Sequence, residues 1–231
     1  MGEKDSGIGK ALAKKLGQDI IPPARERHTT STSFLMNPVR MLMFLTISEK
    51  TGINMRAVAR ETGSAPSAAK GHLDKLEEQG IIASTKIGGK KHYYLPQIAD
   101  KGLCEKIHPL AQQENENIYK AIGRSAKGVG QLSKKTGMSP QLVDYHLKLL
   151  MKQGLVGKER KKYYATRHVQ NIVGQLERQS TQAAEKILAL LQEQNLSPSK
   201  ARKYNNRIRV EVTLGETRKR ITIYLVPRTL M

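Results

Sequence analysis

The chain has a single cysteine, Cys104, no tryptophan and only two phenylalanines among 231 residues. One thiol excludes an internal disulfide and any zinc ribbon built on cysteine pairs, and it fits a reducing compartment. So few bulky aromatics argue against one large aromatic-rich core and for small domains with aliphatic cores. Acidic side chains are also scarce: twenty, against forty Lys and Arg, for a formal net charge of +20 and a pI near 10.1. That excess points to a polyanion as partner, either nucleic acid or an anionic membrane surface. No run of about 18 apolar residues is present, so no membrane span is expected. The amino terminus lacks an apolar stretch ending in a small-residue cleavage site, so a cytoplasmic, nucleoid-associated location is expected rather than secretion.

Catalytic motifs are missing too. The glycines of Ser6-Gly7-Ile8-Gly9-Lys10 and Gly88-Gly89-Lys90 do not make the Gly-x-x-x-x-Gly-Lys-Ser/Thr loop that cradles a phosphate. The six histidines are scattered, with no His-Glu-x-x-His and no paired carboxylates. The expectation is a non-enzymatic protein without metal or cofactor.

What the sequence does contain is a repeat. Thr62-Gly63, Pro66, His72-Leu73, Leu76 and Gln79-Gly80 recur as Thr136-Gly137, Pro140, His146-Leu147, Leu150 and Gln153-Gly154, all 74 residues apart. Eight identities in a gapless 19-residue window indicate a tandem duplication. Each copy is followed by a basic run and a tyrosine pair, Lys90-Lys91-His92-Tyr93-Tyr94 and Arg160-Lys161-Lys162-Tyr163-Tyr164, at an offset of 70.

Both copies read alike. A first helix is predicted over 37–47 and 115–123, opened in the first copy by Asn37 as cap and Pro38 in the first turn. A second runs over 55–62 and 129–136 and ends at the Thr-Gly pair, where glycine accepts a left-handed turn. A third runs over 65–79 and 139–153, with Ser64 and Ser139 as expected N-caps, and stops at Gly80 and Gly154. Short strands 81–86 with 92–95, and 155–158 with 162–165, form hairpins.

Three helices, a Thr-Gly turn and a basic hairpin form the pattern of a winged helix-turn-helix. The stretch Asn37-Pro38-Val39-Arg40-Met41-Leu42 and both His-Leu-x-x-Leu-x-x-Gln-Gly runs resemble ArsR-like and MarR-like transcriptional regulators of bacteria and archaea. The resemblance covers somewhat over half the chain and implies DNA binding, with a polar side chain at His72 and His146 touching phosphate. A partly buried histidine satisfied by a neighbour is the competing reading at both positions. ArsR-like metal sensors carry paired cysteines near the third helix; this chain has none.

The third helix of the second copy turns Val143, Leu147 and Leu150 inward and Gln141, Asp144, Tyr145 and Lys148 outward, beside the cap Ser139. Such a face suits the major groove, where Gln matches adenine edges and Asp accepts from cytosine. The first copy offers only Ser67, Lys70, Gly71 and Asp74, so more sequence information is expected from the second. The wings carry Lys86, Lys90 and Lys91, then Lys158, Arg160, Lys161 and Lys162, suited to phosphates or the minor groove. A solvated charged face is the bland alternative. The tyrosine pairs read as strand core.

Beyond the copies, Val169, Val173, Leu176, Ser180, Ala183, Ile187 and Leu190 keep heptad spacing on a long helix. The stripe suits either a homodimer seam or packing on its own domain. In the tail, Ile208, Val210 and Val212, then Ile221, Ile223 and Leu225, alternate with polar residues as a β-hairpin. Its Arg207, Arg209, Arg218, Lys219 and Arg220 are candidate DNA or partner contacts. At the other end, Ile8, Leu12, Leu16 and Ile20 outline an amphipathic helix before Pro22-Pro23 and a polar linker, suited to a loose arm or a membrane surface.

The expected architecture is mainly α with small β-wings. An arm (1–33) precedes a first winged helix (34–96), a linker (97–112), a second winged helix (113–167), a long helix (168–195) and a basic hairpin (196–231). Net charge is +4 over 37–96, +8 over 113–167, −1 over 168–195 and +7 over 196–231. The function expected is sequence-selective binding of double-stranded DNA by a homodimeric regulator. The alternatives are an architectural, chromatin-like coating protein and a protein-interaction scaffold.

Overall fold

A computed structural model describes residues 33–123, 125–214 and 217–231. The amphipathic helix and linker expected over 1–32 lie outside the described residues. After a 3-10 turn at Phe34–Met36 the elements are α1 (Pro38–Glu49), β1 (Ile53–Asn54), α2 (Met55–Thr62), α3 (Pro66–Glu78), β2 (Ala83–Ile87) and β3 (Lys90–Tyr94). Next come α4 (Lys101–Ile107), a 3-10 turn (His108–Ala111), α5 (Gln113–Ile122), α6 (Val129–Thr136), α7 (Pro140–Lys152), β4 (Val156–Glu159) and β5 (Lys162–Ala165). The chain ends with α8 (Arg167–Glu193), β6 (Ser199–Lys203), β7 (Arg207–Leu214), β8 (Thr217–Tyr224) and a 3-10 turn at Arg228–Leu230. All strand pairs are antiparallel, in sheets ordered β1-β3-β2, β4-β5 and β6-β7-β8.

Local chemistry sets these boundaries. The Asn37 side chain accepts from the amides of Val39 and Arg40, both at 3.1 Å, and caps α1. Gly63 and Gly137 end α2 and α6 at φ +64° and +71°, the left-handed turn read from both Thr-Gly pairs. Ser139 caps α7 by accepting from the Leu142 amide at 3.3 Å. Ser64 does not cap α3. The N-cap there is Ala65, and the Ser64 hydroxyl bonds to Thr62 at 3.0 Å instead. The first helix of the second copy starts at Gln113, two residues before the predicted Asn115.

Two apolar cores form. Eight consecutive residues of α1, Met41 to Ser48, are buried, which requires cover on every side. α2, α3 and the β2–β3 hairpin supply one side; Ile208, Val210, Val212, Ile221 and Ile223 of the last sheet, with Leu225 just after it, supply another. The second core gathers Ile118, Leu132, Val143, Leu147, Leu150 and Leu155 around α5, α6 and α7. At 27 residues α8 is about 40 Å long and serves both cores. Val169, Ile172 and Leu176 join the second, and Ala183, Ala184, Ile187, Leu190 and Leu191 the first.

Three expectations are corrected. The heptad stripe of Val169, Leu176, Ser180, Ala183, Ile187 and Leu190 is buried within one chain, and Val173 packs at its edge, so it is not a free dimer seam. Its partners are the chain's own helices and last sheet. Residues 97–112 are no open linker: they hold α4 and a 3-10 turn that bury Cys104, Ile107 and Leu110. The tail is a three-stranded sheet, and its apolar face folds back on α1. Among the described residues no helix is long and apolar enough to cross a membrane.

Candidate nucleic-acid interface

The outward face of α7 is held by its inward one. Val143, Leu147 and Leu150 are fully buried, which fixes the helix against α5 and α6. Gln141, Tyr145 and Lys148 are exposed as expected, Tyr145 at 58 %. Asp144 is half-exposed and bound to Lys148 at 2.7 Å. That hydrogen bond holds the Asp144 carboxyl below its ordinary range and raises the Lys148 ammonium. Leu142, 41 % exposed, also lies on this face and was not anticipated. Its exposure puts an apolar side chain one helical turn before Tyr145.

His146 belongs inside. It is 7 % exposed, and its Nδ1 meets the Asn115 Oδ1 at 2.7 Å. Phosphate contact by His146 is therefore corrected to a packing role. Burial lowers its pKa, favouring the neutral ring. Its counterpart His72 is half-buried, with its pKa lowered by burial and by the charges of Arg40 and Lys75.

The two wings differ in how their cations are used. In the first unit Lys91 bonds Glu77 at 2.7 Å and lies 3.9 Å from Asp74, while Lys70 pairs with Asp74 at 2.7 Å. Acids of α3 thus hold one of the three wing cations, Lys91, and Lys70 of the helix as Asp144 holds Lys148 in the second unit, while Ser67, Gly71, Lys86 and Lys90 are exposed. In the second unit Lys158, Arg160, Lys161 and Lys162 are all exposed, and none has an ion-pair partner among the described residues. Lys158 lies over the Tyr163 ring at 5.2 Å. An isolated bridge from Lys127 to Tyr163 ties this wing to the segment before α6.

The tyrosine pairs follow strand alternation. Tyr93 and Tyr163 are buried, and burial pushes the Tyr93 hydroxyl up to about 12. Tyr94 is half-buried and Tyr164 is exposed. In the last sheet Arg207, Arg209, Arg218 and Arg220 share the outer face. Lys219 has the inner parity of Ile221 and Ile223. Among the described residues no group of three or more His, Cys, Asp or Glu is placed to hold a metal ion. Burial pushes the Cys104 thiol up to about 12.

Residues 118–158, from within α5 to within β4, match the family described as bacterial regulatory protein, arsR family. The second unit is ArsR-like. The chain is also similar, at 26 % identity over 125 residues, to a protein of Methanocaldococcus jannaschii described as an uncharacterized HTH-type transcriptional regulator. That similarity covers 53 % of this chain and 31 % of the relative, so the chain spans about a third of the length of the curated relative it matches. The ArsR-like segment contains all of α7 and reaches the first wing cation, Lys158; Arg160, Lys161 and Lys162 follow just beyond it.

Proposed function

We propose that this chain is a DNA-binding transcriptional regulator whose second unit enters the major groove with α7 and rests its wing on phosphates. One observation carries the reading: among the described residues none of the four wing cations of the second unit has an ion pair, whereas Lys91 of the first wing is paired with Glu77 and only Lys86 and Lys90 are unpaired there. Free cations release the counterions of a duplex when they bind it; paired ones must first break their own bonds. In this reading Gln141 addresses adenine edges, and Leu142 and Tyr145 suit thymine methyl groups.

Both units are taken as winged helix-turn-helix modules, on the shared order of helices and hairpin, but only the second as a base reader. Binding as a pair on half-sites roughly 34 Å apart belongs to the proposal, with a pairing surface other than the buried stripe of α8. No enzymatic step is part of it.

The test is selection of bound duplexes from a random pool, followed by competition between the selected site and random duplex. A preference of about 10³ or more supports a selective regulator. A ratio under about tenfold contradicts selectivity and favours the DNA-coating alternative. Sedimentation of the free and bound protein reads the pairing.

A further inference from the structure

We propose that the outer face of β6, β7 and β8 is a second nucleic-acid-binding surface, one that takes the phosphodiester backbone of duplex DNA. Strand alternation builds it. Ile208, Val210, Val212, Ile221 and Ile223 turn inward onto the first core, so Arg207, Arg209, Arg218 and Arg220 turn outward. The edge strand β6 is exposed along its length and adds Arg202.

The charge on this face is not internally balanced. Arg202 stands directly opposite Arg209 in the ladder, and like charges so placed destabilise a sheet. The single carboxylate of this face among the described residues, Glu211, is already shared by Arg220 at 3.0 Å and Lys200 at 3.3 Å. Arg202, Arg207, Arg209 and Arg218 have no acid partner among the described residues. Instead, the guanidiniums of Arg207 and Arg209 lie over the Tyr204 ring, 5.2 and 5.5 Å from its centroid. The Nε of Arg207 is buried without a hydrogen-bond partner.

Geometry favours phosphate as the missing anion. From the Arg207 rung to the Arg218 rung the strip runs about 20 Å at roughly 3.3 Å per residue. The register spreads its cations along it: Arg207 opposite Tyr224, Arg209 between Arg202 and Thr222, Glu211 opposite Arg220, and Thr213 opposite Arg218. A cleft of about 350 Å³ opens among Arg202, Tyr204, Arg209 and Arg220. Arginine outnumbers lysine here, and its planar fork suits phosphate oxygens. An acidic protein partner would call for apolar anchors at the centre of the patch. Tyr204 is the only large hydrophobic side chain exposed there among the described residues.

The surface is separate from α7 and its wing. The last sheet rests on the first core and α7 on the second. One chain therefore has two cationic faces on two cores, which is what joining two duplex segments, or extending contact along one, requires.

The test uses the full chain with random-sequence 30-base-pair duplexes carrying two different fluorophores. Three proteins are compared: wild type, R202Q/R209Q/R218Q, and K161E/K162E. The sheet variant is expected to lose transfer between the two labels and to lower the magnitude of the salt slope by about three per chain, near 0.9 per phosphate. It is expected to keep its selectivity for a selected site. K161E/K162E should retain weak duplex binding, and adding the sheet substitutions should remove it. Thermal melting separates misfolding from lost contact, since removing the Arg202–Arg209 opposition should leave the midpoint unchanged or higher. A folded sheet variant with the wild-type slope and transfer overturns the proposal and leaves the face to an acidic protein. Loss of selectivity in K161E/K162E alone speaks to the regulator reading and not to this one.

Discussion

His146 and Asn115 meet at 2.7 Å, across 31 residues of sequence, and lock α7 to α5. The Asn115 Nδ2 donates to the Pro109 carbonyl at 2.9 Å, so its Oδ1 is the acceptor and His146 Nδ1 carries the proton. Asn115 is fully buried. Replacing it with alanine strands a histidine N–H and a backbone carbonyl, and an unsatisfied buried group costs about 1–3 kcal/mol. N115A should lower the urea midpoint by a corresponding amount and weaken DNA binding, because α7 loses the contact that sets its angle. An unchanged midpoint would show that the pair contributes nothing.

Arg160 sits at the tip of the second wing with φ +55°. The equivalent turn of the first wing uses Gly88 and Gly89, at +56° and +76°. A left-handed conformation costs an L-residue roughly 1–2 kcal/mol that glycine avoids. R160G should therefore raise thermal stability while weakening duplex binding. A gain in both, or a loss in both, would separate Arg160 from the trade-off between turn strain and tip charge.

Four histidines respond to acid in the same sense. Burial is the first cause at His72, His92, His108 and His146, and all four pKa values lie below the ordinary 6.5. The unfolded chain then binds more protons than the folded one once pH drops into that range. Their contribution to stability is complete above about pH 6.5, and is lost as pH falls from there through the depressed folded values. The prediction is a urea midpoint that declines on acidification from pH 7 to pH 5. The decline should be smaller in H92Q, where His92 Nδ1 meets the Gly52 carbonyl at 2.7 Å in the first core. A midpoint that rises over the same interval would contradict the sign.

Much of this architecture is legible in the sequence because local signals coincide. The 74-residue offset, the Thr-Gly pairs and the prolines of α3 and α7 place those helices within two residues of where they lie. What escapes is pairing at a distance. The heptad stripe of α8 has the same spacing whether it meets another copy or its own sheet, and nothing local tells the two apart. β6 has no alternation to read, since all five of its residues are exposed. The basic runs of the two wings look equivalent, yet Lys91 is bound by Glu77, fourteen residues earlier, and Lys161 and Lys162 have no such acid among the described residues. Likewise Asn115 reads as a helix start, whereas it is an interior residue that holds a histidine of another helix.

The central claim is that the wing of the second unit, whose cations have no ion pair among the described residues, holds duplex DNA more strongly than the wing of the first, where Lys91 is paired with Glu77. The most direct measurement is a salt titration of duplex affinity for the wild type, K90E/K91E and K161E/K162E. With eight phosphates neutralised by the wings of a pair of chains, the wings' share of the wild-type slope of log affinity against log salt should lie near −7, at about −0.9 per phosphate, and the last sheet's cations add to it. The account predicts a marked loss of affinity and a slope shallower by about two per chain for K161E/K162E, with a change of about half that for K90E/K91E, where Lys91 is already paired. Equal effects of the two variants, or a wild-type slope near zero, would contradict it.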